Sequence, residues 1–308
     1  MTFRGGAAAL AAIAVCVLVG GAAGAGPELP KPVLPAMLLA SSDLAPGAPL
    51  RTEGYQPAAP PAVGEYERSF GPGLKLGGWP LLVAESLVQD FGDLGTSTLV
   101  FDQIRHNLNT PAGTRAFVKG IIAGFPRDGR LRISSIGVTP TLSMPVAQDA
   151  IRVTVRLRLK AGSQTAPVEV AVDFLRMDRA LEIVVLESYP RKHVPGRIAV
   201  LAARKVAAHL KAAFTVRNLM RPIITGAAAQ GQTLGVVPGT WDGAPSAYTY
   251  QWQKCDASGA SCAPIPGAVA ETYVVGTADV GAQIAVAVTG ANSVTRATAV
   301  ATPTAVAQ

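Results

Sequence analysis

Arg152, Arg156, Arg158 and Lys160 occupy alternate positions of a run whose intervening places are taken by Ile151, Val153, Val155, Leu157 and Leu159. Successive side chains of an extended strand point to opposite faces, so the cations share one face and the aliphatic groups the other. A row of cations suits an anionic partner such as a phospholipid headgroup or a wall polymer. A second basic set, Arg191, Lys192, Arg197, Arg204 and Lys211, falls in and before an amphipathic helix. At 100° per residue, Arg197, Arg204 and Lys211 lie within about 40° of one another. Were both sets on one side, they would make a continuous stripe. The competing reading is plainer, and the sequence favours it: Glu169 and Asp173 of the returning run pair with the arginines across a hairpin, and the helix cations face water.

Other chemistry is sparse. The chain has no G-x-S-x-G elbow, S-x-x-K, H-E-x-x-H, phosphate-binding loop or dinucleotide fingerprint, and Gly71-Pro72-Gly73 has the wrong continuation. His106, His193 and His209 are the only histidines, and none has a nucleophile or carboxylate implied beside it, so each reads as structural or solvated. No catalytic residue, metal site or cofactor is assigned. Nucleic acid is disfavoured as a partner, because no aromatic platform accompanies the charges. Trp252, Tyr250 and Tyr273 could stack on a sugar, but period-two spacing reads as core, and Trp241 beside Pro238-Gly239 is the better candidate for partial exposure.

The elements that must position these groups follow a segment that reads as an export signal. Residues 1–25 carry Arg4, an apolar run over 8–19 and the small-x-small site Ala23-Gly24-Ala25, which places a mature start near Gly26. An uncleaved anchor is the alternative, but the run falls short of the roughly 20 apolar residues that span a bilayer. A lipid anchor on Cys16 is a minor option, since Val15 is bulky where lipoprotein signals carry a small residue. Outside that segment only Cys255 and Cys262 remain, with six residues between them, and in an oxidising compartment they pair. A zinc site there fails for want of histidine.

Residues 26–64, rich in Pro, Ala and Gly, read as an extended leader with one short turn at Ser42-Asp43-Leu44. Residues 65–221 form a first domain and 222–308 a second. Leaving out Arg4, residues 26–221 hold 24 Lys and Arg against 16 Asp and Glu, a balance of +8, while residues 222–308 hold 2 against 4. The basic character therefore belongs to the first domain.

Within it, residues 79–91 fit a helix or a strand, and 97–104 alternate as a strand. Thr110-Pro111 opens a helix with Ala116, Phe117 and Ile121 as its buried stripe, ending at Gly124. The basic strand turns at Gly162-Ser163, returns through Val168, Val170, Val172 and Phe174, and turns again at Asp178-Arg179 into a strand over 181–186. A last helix over about 195–214 buries Val206, Leu210 and Phe214. The fold class is α+β: an antiparallel sheet with helices on one face.

After residue 222, Tyr248, Tyr250 and Trp252 alternate with Thr249, Gln251 and Gln253, and Ile284, Val286 and Val288 alternate likewise, as two strands facing one core. The last 85 or so residues resemble an immunoglobulin-like repeat of exported actinobacterial proteins. The likeness is carried by Gly231-Gln232-Thr233-Leu234, Pro238-Gly239-Thr240-Trp241, Tyr250-Gln251-Trp252-Gln253-Lys254-Cys255-Asp256, Gly259 with Cys262, Thr272-Tyr273, Thr277-Ala278-Asp279-Val280-Gly281 and Asn292. It implies an all-β immunoglobulin-like sandwich acting as stalk, spacer or adhesion module, without catalytic residues. That repeat is commonly tandem and here stands once, and its bridge links neighbouring strands rather than two sheets. The first domain is similar in layout to small exported sensor-type domains of actinobacteria, such as the extracellular portion of some mycobacterial serine/threonine kinases.

The sequence thus points to a secreted or envelope-associated binding protein with an anionic envelope component or another ligand as partner. A hydrolase of wall material or lipid and a purely structural display protein are the alternatives.

Overall fold

The computed structural model describes residues 27–31, 33–124, 132–189 and 192–308. The export segment, Cys16 and Arg191 lie outside them. The chain divides into two compact units, Met1–Lys211 and Ala212–Gln308.

The first unit is built on a seven-stranded sheet in the order β1 (Leu50–Tyr55), β2 (Gly64–Phe70), β5 (Val83–Asp90), β9 (Ala180–Glu187), β8 (Gln164–Met177), β7 (Asp149–Ala161) and β6 (Arg132–Thr141). Every neighbouring pair is antiparallel. The basic strand and its two returns are β7, β8 and β9, joined by tight turns in which Gly162 and Asp178 take left-handed backbone angles. A separate ribbon pairs β3 (Leu74–Leu76) with β4 (Trp79–Leu81).

The helices are α1 (Val33–Met37), α2 (Leu94–Leu108), α3 (Pro111–Gly124) and α4 (Gly196–Ala213). Phe101, Ile104 and Phe117 of α2 and α3 join Leu87, Ile151, Val153, Phe174, Ile183 and Val185 in one core on one face of the sheet. The helical cover extends to the second face. There Ser86 Oγ, pointing away from Leu87, accepts from Leu39 N just after α1, and His209 of α4 donates to the Leu38 carbonyl.

Residues 94–108 are helical, which corrects the strand reading of 97–104. Asp93 caps the helix by accepting from Thr96 N at 2.8 Å, and Ser97, Val100, Phe101, Ile104 and Leu108 are buried at helical spacing while Leu99 is exposed. Residues 79–91 resolve as strands β4 and β5. The helix at Thr110-Pro111 is as read: Thr110 Oγ1 accepts from Gly113 N at 3.0 Å, and Phe117 and Ile121 are buried. Gly113 is required at that junction, because a Cβ there would sit 2.1 Å from the Asn107 carbonyl oxygen.

The stretch read as an extended leader is instead part of the fold. It supplies α1 and the edge strand β1, and it buries Leu29, Leu34, Met37, Leu38, Leu39 and Leu44. Its start is anchored on the fully buried Asp90, which accepts from Leu29 N at 2.6 Å while paired with Arg179. Apolar burial outweighs the Pro-rich composition here.

The second unit holds small antiparallel sheets. β11 (Ile223–Thr225), β12 (Thr233–Val237) and β16 (Thr272–Val274) make one; β15 (Cys262–Pro264), β14 (Ala247–Cys255), β17 (Gln283–Ala291) and β18 (Arg296–Val300) make the other. Leu234 and Val236 of the first pack with Trp252, Ile284, Val286 and Val288 of the second, so the two sheets enclose one core. A two-stranded ribbon of β10 (Arg217–Met220) and β13 (Thr240–Asp242) completes the unit. Strand pairing thus begins at Arg217, ahead of Pro222. The Cys255–Cys262 disulfide joins directly opposite residues of β14 and β15.

Trp252 is fully buried and donates to the Ala270 carbonyl, but Tyr250 is half-buried and Tyr248 exposed. Tyr248 lies instead against the half-buried Trp241, with both rings over Gly290. The aromatic face of β14 is core at one end only.

Candidate functional site

The basic strand face is largely neutralised within the sheet. Register places Arg152 opposite Asp173 and Arg156 opposite Glu169, and both pairs form, at 2.6 and 3.1 Å. Asp173 is buried, which raises its carboxyl above the ordinary value, and Arg152 pulls it back. Glu169 also accepts from Val194 N, so Arg156 helps fix the approach to α4. Arg158 and Lys160 lie opposite Pro167 and Thr165 and are exposed. On α4, Arg197, Arg204 and Lys211 are exposed on the side away from buried Ala199, Val206 and Leu210. The seven candidates therefore split into two committed to the hairpin, two at the far end of β7 and three on a helix surface.

A different group of cations borders a cleft. The β3–β4 ribbon pairs Lys75 with Pro80, and Tyr189 and Lys192 follow β9. Together with Gly73 and Leu74 these residues line a cleft of about 400 Å³, within the usual size range for small-molecule sites, roughly 300–1,000 Å³. The segment carrying Tyr189 and Lys192 is fixed from both sides: Ser188 exchanges backbone and side-chain bonds with Glu169 and donates to the Lys192 carbonyl, and Lys192 N donates to the Tyr189 carbonyl. Among the described residues no carboxylate lies within ion-pair reach of Lys75 or Lys192. Trp79 and His193, next along the two segments, bring their rings to 5.9 Å, and the buried Trp79 indole N–H has no partner among the described residues.

The remaining histidines form no catalytic arrangement. His209 donates from Nδ1 to the Leu38 carbonyl at 2.8 Å and holds Nε2 3.5 Å from Asp43, which is also paired with Lys205. Both ring nitrogens are engaged, and neither meets a hydroxyl. The rings of His106 and His193 make no hydrogen bond among the described residues.

Known protein families, curated proteins and solved structures contain no match to this chain. The site's own chemistry is two ammonium groups and a phenol at the rim of an open cleft with apolar Leu74 and Pro80 in its wall. Lys192 belongs to a basic cluster visible in the sequence. Lys75 and Tyr189 carried no sequence signal, because only the folding of the β3–β4 ribbon beside the end of β9 makes them neighbours.

Proposed function

We propose that the chain is an exported binding protein whose first unit takes an anionic, partly apolar ligand in the Lys75–Lys192 cleft. The observation that carries this is a pair of lysines, without carboxylate partners among the described residues, on a cleft of ligand size. The net positive charge of the first domain draws anions toward it. The disulfide and the signal-like first residues support an extracytoplasmic location. No helix of the described residues is long and apolar enough to cross a membrane. The second unit serves as an immunoglobulin-like spacer or docking module, a reading supported by its two-sheet core and its sequence resemblance.

The test is calorimetric titration of the full chain with a short-chain phosphatidate at low and physiological salt. Binding that weakens with salt, and that is lost in the Lys75→Ala/Lys192→Ala double variant but kept in Arg158→Ala, supports the assignment. Equal affinity in all three proteins rejects it.

A further inference from the structure

Every side chain that lines the Lys75–Lys192 cleft either donates hydrogen bonds or is apolar, and this limits what the cleft can hold. The lining is Gly73, Leu74, Lys75, Pro80, Tyr189 and Lys192. Each ammonium offers three N–H donors and no acceptor, and the Tyr189 phenol adds an O–H. Gly73 contributes no side chain, and Leu74 is buried at 1% exposure. None of the three polar heads has a hydrogen-bond partner among the described residues.

The carboxylates on adjoining segments are engaged elsewhere. The Lys75 carbonyl accepts from Ala45 N, and Asp43, just ahead of Ala45, pairs with Lys205 and His209. Glu169, bonded through its backbone to Ser188, pairs with Arg156 and accepts from Val194 N. Glu187, two residues before Tyr189, is buried. His193 stands against Trp79 and is not in the lining. The cleft thus carries two positive charges and three donor heads with no counterpart among the described residues.

That count separates the common anionic groups. A carboxylate and a phosphate diester each present two free oxygens and one charge. A terminal phosphate monoester presents three free oxygens and, above its second pKa of about 6, a charge close to −2. Of these groups it is the one that matches three donors and two cations. A zwitterionic headgroup fits badly, because its own cation would find no acceptor in the lining except the phenol oxygen. Pro80, the Tyr189 ring and the methylene stems of the lysines supply apolar surface beside the charged heads.

We infer that the cleft selects a terminal phosphate monoester carried on an apolar stem, with Lys75, Lys192 and the Tyr189 hydroxyl donating to its three oxygens and Pro80 and the Tyr189 ring against the stem. This rests on the anion-binding reading of the same cleft and narrows it, with Tyr189 as the residue that sets specificity.

The experiment is calorimetric titration of the full chain at about pH 8, where the monoester is a dianion. The ligands are n-butyl phosphate, n-butyl methyl phosphate, inorganic phosphate and a short-chain phosphatidate. n-Butyl phosphate is expected to bind about tenfold or more tighter than the diester, which lacks one anionic oxygen, and severalfold tighter than inorganic phosphate, which lacks the stem. Tyr189→Phe keeps the ring and removes the donor, so it should weaken n-butyl phosphate about tenfold while changing the diester by less than about threefold. Phosphatidate binding tighter than n-butyl phosphate assigns a lipid as the source, and the reverse order a soluble monoester; either order supports the monoester assignment. Equal affinity for n-butyl phosphate and its methyl diester, or wild-type monoester affinity in Tyr189→Phe, overturns this inference and leaves the anion-binding reading standing. Inorganic phosphate bound as tightly as n-butyl phosphate overturns the apolar stem. Failure of all four anions to bind overturns the inference and the reading beneath it together.

Discussion

Arg152 and Asp173 face each other from adjacent strands and meet through two parallel N–H···O bonds, Nε to Oδ1 at 2.6 Å and Nη2 to Oδ2 at 2.7 Å. The pair explains why a strand with alternating cations offers a discontinuous basic face. Its strongest member is spent on a carboxylate that is 1% exposed. Removing Arg152 leaves that charge buried and alone. Arg152→Ala is therefore expected to destabilise the first unit by about 3–5 kcal/mol, whereas Arg158→Ala, at an exposed site, changes stability by less than about 0.5 kcal/mol. Urea unfolding followed through the first unit's transition measures both, and equal effects would refute this account of the basic strand.

Burial also sets a pH dependence. Glu85 and Glu187 are raised from the ordinary 4.5 to about 8 and about 7, and Glu182, fully buried against Ser86, is raised as well, in each case chiefly by desolvation. The folded state then holds more protons at these groups than the unfolded state, so the stability they contribute is fully present below the ordinary glutamate value and is lost as pH rises toward about 8. Calorimetry from pH 5 upward should show the first unit losing stability of order a few kcal/mol by the upper end of that window. Glu85→Gln should flatten the curve and be the more stable protein at its alkaline end. A wild-type midpoint that rises with pH would contradict the assignment.

Much of this architecture is legible in the residues, and its failures have identifiable causes. The meander of β7, β8 and β9 follows from strict alternation, and α3 and α4 from a cap and a stripe, because each is a local pattern. Helix α2 misleads because Leu99 and Phe101 alternate with Thr98 and Val100 as a strand would, while the deciding signal, Asp93 capping Thr96, precedes the run. The stretch before β2 misleads by composition, although Leu34, Met37, Leu38 and Leu39 form a buried cluster that could have been noticed. Neither the cleft nor the buried acidic group is local. Lys75 and Lys192 come to one cleft, and Glu67 and Glu187 come within electrostatic reach of Glu85, only once the sheet order is known. Even so, Glu85, Leu87 and Gln89 at period two mark a strand face where acid and aliphatic groups mix.

The disulfide closes a short loop between neighbouring strands, with Cys255 buried and Cys262 exposed. Chain-entropy reasoning assigns such a loop roughly 2–3 kcal/mol. Cys255→Ala/Cys262→Ala should lower the second unit's transition by about that amount and leave that of the first unchanged, since the two are separate compact units. Differential scanning calorimetry of the full chain checks both halves of the expectation. A shift shared equally by both transitions would count against it.

Asn292 ties three separated segments of the second unit. Its Nδ2 donates to the Phe214 carbonyl at 2.7 Å and the Gly243 carbonyl at 2.6 Å, while its Oδ1 accepts from Val294 N and Thr295 N, each at 2.8 Å. Only an amide supplies two donors and an acceptor from one planar group. Asn292→Ala should cost about 2–4 kcal/mol in the second unit, four bonds at about 1 kcal/mol each less what water restores at this half-buried site. Asn292→Asp is the sharper test. It keeps the acceptor for Val294 and Thr295 but turns a carboxylate oxygen toward two carbonyls, so at neutral pH it should destabilise at least as much as alanine and recover in part when the acid is protonated. Chemical denaturation at two pH values reads this directly, and an Asp variant as stable as the wild type would show that the Phe214 and Gly243 carbonyls do not depend on the amide.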